Sequence, residues 1–499
     1  MKRHALGILL LLLGLVGCHQ QEGTQGELRI GVAQLPMSLD PRFATDAASH
    51  KVQQLLHRGL IRLDEHWMPQ ADVAASWSHP EPLLWVFHLK HHVYFHNGME
   101  LTAKDVKATL DSVLRVATAS PLRAGFASIA SVEAVRPDVL KVHLKKEDAS
   151  LLTRLTLGIL PAAYVQQPVQ AHQTIGCGAF RVLSWQGEHL RLQRVQAVSE
   201  SNLRVLDFMR VKNAVTRSLK LVRGELDFTQ NDLPSELLPY LQRQPNLHIQ
   251  SHAATTFSYI GLNLHDGILK HVQVREALAL AIDRPRLKHA LLGNLPKLAE
   301  TILTPQHWAA ARLKPIAFNP QQAEKLLDAA GFPRQQDGMR FHLTYRTSTN
   351  ATRLRLATAI ADMWRQIGVD VSVESMEWGG FYARIKRGDF QVFSLSWVGI
   401  ADPDIYRWVL HSSMWPPKGA NRGRYADAAM DAWLEAAAHH SDVPQRTVIY
   451  HKIQHKMHDD MVYIPLWYEP VIAVSNTRLQ GFEPTADGSF LGLLHARWM

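Results

Sequence analysis

Residues 340–406, RFHLTYRTSTNATRLRLATAIADMWRQIGVDVSVESMEWGGFYARIKRGDFQVFSLSWVGIADPDIY, decide the fold. Phe341, Leu343 and Tyr345 alternate with polar residues, as a half-buried strand requires. Asn350 then offers a cap to a helix whose apolar face is Ala357, Ile360, Ala361, Trp364 and Ile367, and Gly368 ends it. VDVSVES (369–375) alternates again and leads to a short helix through Phe381, Tyr382 and Ile385. Gly388-Asp389 turns the chain into a third strand, FQVFSLSW (390–397). The order is β-α-β-α-β, and crossover helices make the three strands parallel. Arg346, the Ser375–Trp378 segment and Trp397 are therefore expected at one carboxyl edge, where open α/β sheets bind ligands. Nothing beside them pairs a nucleophile with a base, so the edge reads as a binding cleft.

Working outward, the amino terminus sets the compartment. Lys2 and Arg3 precede an apolar run, Ala5 to Val16, that is short for a bilayer span, and Leu15-Val16-Gly17-Cys18 resembles the lipoprotein box of bacteria. That resemblance implies cleavage before Cys18, acylation of its thiol, and a domain tethered to a membrane surface through the polar linker 19–26. The other reading is an uncleaved helix. The formal charge of +9 falls by two once Lys2 and Arg3 leave with the signal. Its basic residues are scattered rather than striped, which argues against nucleic acid. Cys177, alone once Cys18 is acylated, forms no internal disulfide and reads as a small buried residue between glycines. A chain of 499 residues exceeds what one core serves, so two or more lobes are expected.

Ahead of the central stretch, Trp85, Phe87 and Leu89 alternate as a strand. Thr102 and Asp105 form a capping box before a helix burying Val106, Leu110, Val113 and Leu114. An apolar helix is expected near 148–158 and another begins at Pro234. FRVLSW and HLRLQRV flank Gln186-Gly187-Glu188 as a hairpin. Asn319, Pro320 and Gly331 bracket a helix as cap, first-turn proline and terminator. After the parallel unit come helices at 427–439 and 443–459 and a strand, YIPLWYEPVIAVS (463–475), that returns towards the first lobe.

LDP (39–41), LIRLD (60–64), VYFHNG and LTAKDV within 93–106, IGCGAFRV (175–182), GLNL followed by VREALALAIDR (261–284), AEKLLDAAGF (323–332) and IPLWYEP (464–470) stand in the order seen in family 5 extracellular solute-binding proteins of ABC importers. The chain resembles that family over essentially its whole length after the signal, although Cys177 and Ala179 replace the usual threonine and proline. The resemblance implies an α/β fold of the periplasmic-binding-protein type II, cluster C. Lobe I would comprise residues 27–57, 174–251 and 474–499, an extra α/β domain 58–173, and lobe III 252–473. It implies two lobes closing on a solute about a hinge, a monomer without cofactor, and an ABC permease and ATPase as partners. Contact with the membrane would run through the lipid alone.

Site residues follow from the same resemblance. Arg346 stands where dipeptide binders carry a carboxylate-pairing arginine, a task that suits a guanidinium fork; an exposed loop arginine is the alternative. Trp397 aligns with a cleft tryptophan able to pack on a ligand or meet a cation, with core packing as the alternative, and Trp378, Phe381 and Tyr382 line the neighbouring turn. Peptide binders place an aspartate three residues after that tryptophan, and here the position is Ile400. The nearest acid, Asp402, precedes Pro403 and reads either as a helix cap or as a ligand contact. A solute without an essential free ammonium, or one whose cation is met elsewhere, fits this pattern. His88, His91, His92 and His96 belong to the family's structural turn, and His451, His455 and His458 share a helix face that reads as solvated surface rather than a zinc or nickel site. The reading is a lipid-anchored capture protein for a peptide-like or carboxylate-bearing solute. Its rivals are a nickel or metal-chelate receptor and an envelope sensor or chaperone not coupled to import. No GxSxG, HExxH, phosphate loop or CxxC supports an enzyme.

Overall fold

The computed structural model describes residues 26–166, 172–195, 201–231, 233–293, 295–440 and 442–499. Cys18 and the expected signal lie outside them. Asn350 caps the helix Ala351–Gln366, accepting from the Arg353 amide at 3.1 Å, and Ile360, Ala361 and Trp364 are fully buried against the sheet. Gly388 adopts φ +80° at the end of Trp378–Arg387, a left-handed turn that costs glycine nothing. Strands Phe341–Ser348 and Val369–Met376 pair in parallel from Phe341 beside Val369 to Ser348 beside Met376, and Val392–Trp397 joins the other side, also parallel. The parallel unit is as the alternation demands.

This unit is one end of an 11-stranded sheet. In sheet order the strands are Val369–Met376, Phe341–Ser348, Val392–Trp397, Leu247–Leu262, Tyr463–Asn476, Phe228–Gln230, Glu27–Val32, Val205–Arg210, His189–Arg194 and Phe180–Gln186, with Lys297–Leu298 added beside Tyr463–Asn476. Two long antiparallel strands, of 16 and 14 residues, run through the middle. Their near ends pair with lobe I through Phe228–Gln230, and their far ends with lobe III through Val392–Trp397. Between those ends the register slips, from Ala253 to Thr256 and again from Ser258 to Tyr259. A slip of this kind bends a ladder locally, and here it falls between the ends that pair with Phe228–Gln230 and with Val392–Trp397.

Apolar cores pack on both faces of the lobe III sheet, one around Trp364, Tyr345 and Leu278, the other around Tyr259, Phe393 and Tyr406. A third belongs to a four-stranded antiparallel sheet, Ala74–Glu81, Leu84–Leu89, Val139–Leu144 and Ile129–Arg136, roofed by the helix Ala103–Leu114. That helix opens on the expected capping box, with Asp105 Oδ2 accepting from the Thr102 amide at 2.8 Å. Two helix expectations differ from the structure. The helix near 148–158 is a single turn, Leu151–Arg154, because Gly158 must lie close against His57 and Pro161 follows. After Pro234 a 3₁₀ turn, Ser235–Leu237, precedes the short helix Leu238–Gln242. No helix among the described residues is long and apolar enough to cross a membrane.

Candidate functional site

The carboxyl edges of the two lobes face each other. Glu236 follows Phe228–Gln230, which runs parallel to Glu27–Val32 in lobe I, and Arg355 follows Phe341–Ser348 in lobe III. Their side chains meet at 3.0 Å, so the edges on which α/β sheets hold ligands form the two walls of one cleft.

On the lobe III wall, the helix Trp378–Arg387 splits its aromatic residues by spacing. Phe381 and Ile385, four apart, are buried at 1% and 0% exposure in the core below. Trp378 and Tyr382, also four apart, form the next stripe and stack with centroids 5.4 Å apart, and Trp378 is 53% exposed. The placement of Phe381 in the site is therefore corrected: it supports the wall from behind. Trp397 ends its strand half-buried, its ring parallel to Tyr259 at 6.3 Å, and Tyr259 in turn stacks on Tyr463 at 4.2 Å. Tyr259 and Tyr463 belong to the two long central strands.

Between these rings lies Arg422, which the sequence reading missed. Its guanidinium carbon sits 4.4 Å over the Trp397 ring and 5.7 Å over Tyr382, while its terminal nitrogens donate to the Tyr259 hydroxyl at 3.0 Å and the Tyr382 hydroxyl at 3.2 Å. A knot aims it inward. The Asn421 amide donates to the carbonyls of Leu410, His411 and Tyr425, and its oxygen accepts from the Tyr425 amide at 2.9 Å. Gly423 is required next, because a Cβ there would meet the Leu262 carbonyl at 2.7 Å. Nothing periodic marks Asn-Arg-Gly-Arg-Tyr in the sequence. The only signal was a pair of arginines flanking a glycine.

Arg346 lies elsewhere than expected. Its strand continues to Ser348, so its side chain lies along the sheet face and not in the loop. The parallel register sets it beside Glu374, whose carboxylate accepts from Nε at 3.0 Å, and Nη1 reaches both the carbonyl and the carboxylate of Asp389, the latter at 2.9 Å. Asp402 is also committed. Its oxygens accept from Ser150 at 3.0 Å, Thr153 at 2.6 Å and the Asp404 amide at 2.8 Å, so it ties lobe III to the four-stranded domain and turns the chain into the helix Ile405–Leu410. The ligand-contact reading of Asp402 is corrected on that ground. Ile400 is buried at 7% exposure in the lobe III core.

Arg353, in the first turn of Ala351–Gln366, was also missed. It donates at 2.8 Å to both Ser396 and Glu469, and Ser258 and Ser396 donate to the same Glu469 oxygen at 2.6 and 2.9 Å. Burial alone would raise the Glu469 carboxyl; the Arg353 charge and the two hydroxyls outweigh it and hold it below the usual carboxylate range. The cluster joins both long central strands to the end of Val392–Trp397.

The lobe I wall is more open. A groove of about 510 Å³ lies at the carboxyl ends of Glu27–Val32 and Val205–Arg210, lined by Leu35, Met37, Trp185, Arg210 and Lys212, with His172 stacked on Trp185 at 4.1 Å. His96 bonds the Gly178 carbonyl at 3.0 Å, as a structural turn would. Among the described residues no three His, Cys, Asp or Glu side chains are arranged to hold a metal ion.

Two curated relatives match nearly end to end. The glutathione-binding protein GsiB of Escherichia coli O1:K1 / APEC is 26% identical over 487 residues, 93% of each chain. The oligopeptide-binding protein AppA of Bacillus subtilis (strain 168) is 25% identical, over 92% of this chain and 89% of its own. Among solved structures, the ABC transporter substrate-binding protein CtaP of Listeria monocytogenes superposes with a TM-score of 0.84 at 22% identity, covering 95% of this chain and 99% of its own. These are transport proteins that bind solutes, not enzymes. Residues 68–415 match the model of the bacterial extracellular solute-binding proteins, family 5, and the chain belongs to that family, the solute-binding proteins of ABC importers.

Proposed function

We propose that this protein, anchored by acyl chains on Cys18, captures a peptide-like or otherwise carboxylate-bearing small solute between the carboxyl edges of lobes I and III and hands it to an ABC permease. The observation that carries the reading is the convergence of those edges at Glu236 and Arg355, with Trp378, Tyr382 and Trp397 walling one side. Glutathione and oligopeptides, the solutes named for the two relatives, are both peptides with free carboxylates. Of the expected contacts, Trp378, Tyr382 and Trp397 stay in the proposed site. The partition into residues 27–57, 174–251 and 474–499, residues 58–173, and residues 252–473 is proposed with it, the last segment moving against the first about the slipped hinge register.

The test is native mass spectrometry of the soluble form released from its membrane, followed by titration calorimetry with what is found and with glutathione, tripeptides and nickel–histidine. The expected result is a carboxylate-bearing solute at one site per chain. Recovery of a solute that binds only when its metal ion is present would overturn the solute class in favour of the nickel reading.

A further inference from the structure

Four arginines stand near the lobe III edge, and three of them face an acid. Arg346 has Glu374 and Asp389, Arg353 has Glu469, and Arg355 has Glu236. Arg422 is 7% exposed, and among the described residues no carboxylate lies within ion-pairing distance of it. Its partners are two phenols and the faces of Trp397 and Tyr382. A guanidinium does not shed its proton to relieve such burial. The cation therefore remains, and its field is only weakly screened by the rings that enclose it. Lys386, 5.1 Å over Tyr382, adds a second positive charge to the same patch.

The position of this charge matters more than its sign alone. One face of the Trp397 indole is already taken by a cation at 4.4 Å. The quadrupole that would draw a cationic ligand to the other face is satisfied from behind, and a second cation there meets repulsion. A carboxylate meets attraction at the same place. We infer that Arg422 makes the Trp397 face of the cleft selective for negative charge, acting through the ring as a specificity-determining residue, and that a solute's anionic end lies there while a free ammonium is disfavoured. Ile400 agrees with this: the position three residues beyond Trp397 is apolar and buried, so no carboxylate is set there to receive an ammonium. The inference rests on the proposed cleft being the solute site, but the field itself is measurable without any solute.

The probes are iodide, caesium and neutral acrylamide as quenchers of tryptophan fluorescence in the whole chain, with the Trp397 component isolated by subtracting Trp397→Phe. A unit charge about 8 Å away in an effective dielectric of about 20 alters local ion concentrations by roughly thirtyfold before screening by the quencher salt. After normalising to acrylamide, iodide should quench Trp397 several-fold more effectively than caesium. Arg422→Gln should bring the ratio down at least threefold, whereas Arg422→Lys should keep most of it. Equal quenching by iodide and caesium in the unmodified protein overturns the inference without recourse to any variant. So does an unchanged ratio in Arg422→Gln whose circular dichroism is intact. Failure of glutathione or peptides to bind bears on the identity of the solute and leaves the quenching ratio as it stands, so the two failures are distinguishable.

Discussion

The two walls of the cleft hold their charge in different ways. On lobe III a guanidinium is enclosed by rings, fixed by the Asn421 knot and connected through Trp397, Tyr259 and Tyr463 to both hinge strands. On lobe I, Arg210 is matched by Glu188 at the surface, Lys212 is exposed, and the groove beside Trp185 is open to water. The first wall is preorganised and the second is not. Preorganised groups contribute more to binding because little ordering remains to be done when the solute arrives. Lobe III should therefore do most of the holding in the open protein, and lobe I should add its contacts on closure, which the solute favours only by what it gains there.

The largest expected effect follows directly. Trp397→Ala removes the platform and uncovers Arg422, and truncating a central aromatic anchor costs about 2–4 kcal/mol of binding, or roughly 30- to 1,000-fold in Kd. Trp185→Ala, on the open wall, should cost less than about fivefold. Calorimetry with the solute recovered from the native protein measures both, and a larger loss for Trp185→Ala would reverse the assignment of the two walls.

The lobe III wall is also braced from the side, and that brace titrates. Asp404 lies next to Asp402 at the junction with the four-stranded domain, and burial, then the Asp402 charge, push its carboxyl from the ordinary 3.8 up to about 7. An acid whose pKa is raised by folding favours the protonated native state. Below about pH 4 it is protonated both folded and unfolded and contributes nothing. As pH climbs to about 7 the unfolded chain is the one stabilised by ionisation, and above 7 the penalty is complete. Asp404→Asn should match the parent protein in thermal unfolding near pH 4 and exceed it increasingly up to pH 7, with a plateau on the order of 2–4 kcal/mol as an upper range. A gain independent of pH would assign the effect to packing.

Smaller again is the pair that joins the two walls. Glu236 and Arg355 are each half exposed or more, and such pairs are worth roughly 0.2–1 kcal/mol. Glu236→Gln should shift the open–closed balance towards open by no more than about fivefold, as followed by small-angle scattering or interlobe fluorescence transfer, and salt near 1 M should erase the difference. A shift that persisted at high salt would mean that the contact is not chiefly electrostatic.

What could be read in the sequence was what periodicity and capping control. Asn350, Gly368, Gly388, Thr102 and Asp105 all act as their local chemistry dictates, because a cap or a left-handed turn is decided within four residues. The parallel unit was legible for the same reason. The site was legible only in part. Trp378, Tyr382 and Trp397 emerge on one wall, but Phe381 turns into the core, since one step along a helix rotates a side chain by about 100° and the apolar pattern does not tell the two stripes apart. Arg353 and Arg422 were missed because their partners are remote. Glu469 is 116 residues from Arg353, and Tyr259 is 163 from Arg422.

Arg346 gives the smallest effect on binding and sharpens the comparison most, because it is the cation the sequence favours and the structure spends. Its side chain is 13% exposed and its guanidinium donates to Glu374 and Asp389, so a solute carboxylate arriving there would have to displace two acids already in place. Arg422, enclosed at 7% exposure, has no carboxylate within ion-pairing distance among the described residues. Neutralising the two should thus give opposite patterns. Arg346→Ala leaves Glu374 without its cation and Asp389 with Arg384 alone, which costs about 1 kcal/mol of stability, while the Kd for the native solute stays within about twofold. Arg422→Gln should change affinity far more, with a loss that grows with the number of carboxylates on the solute. If Arg346→Ala weakened binding tenfold with no fall in melting temperature, its two ion pairs would have to open on closure and Arg346, not Arg422, would be the residue that meets the anion.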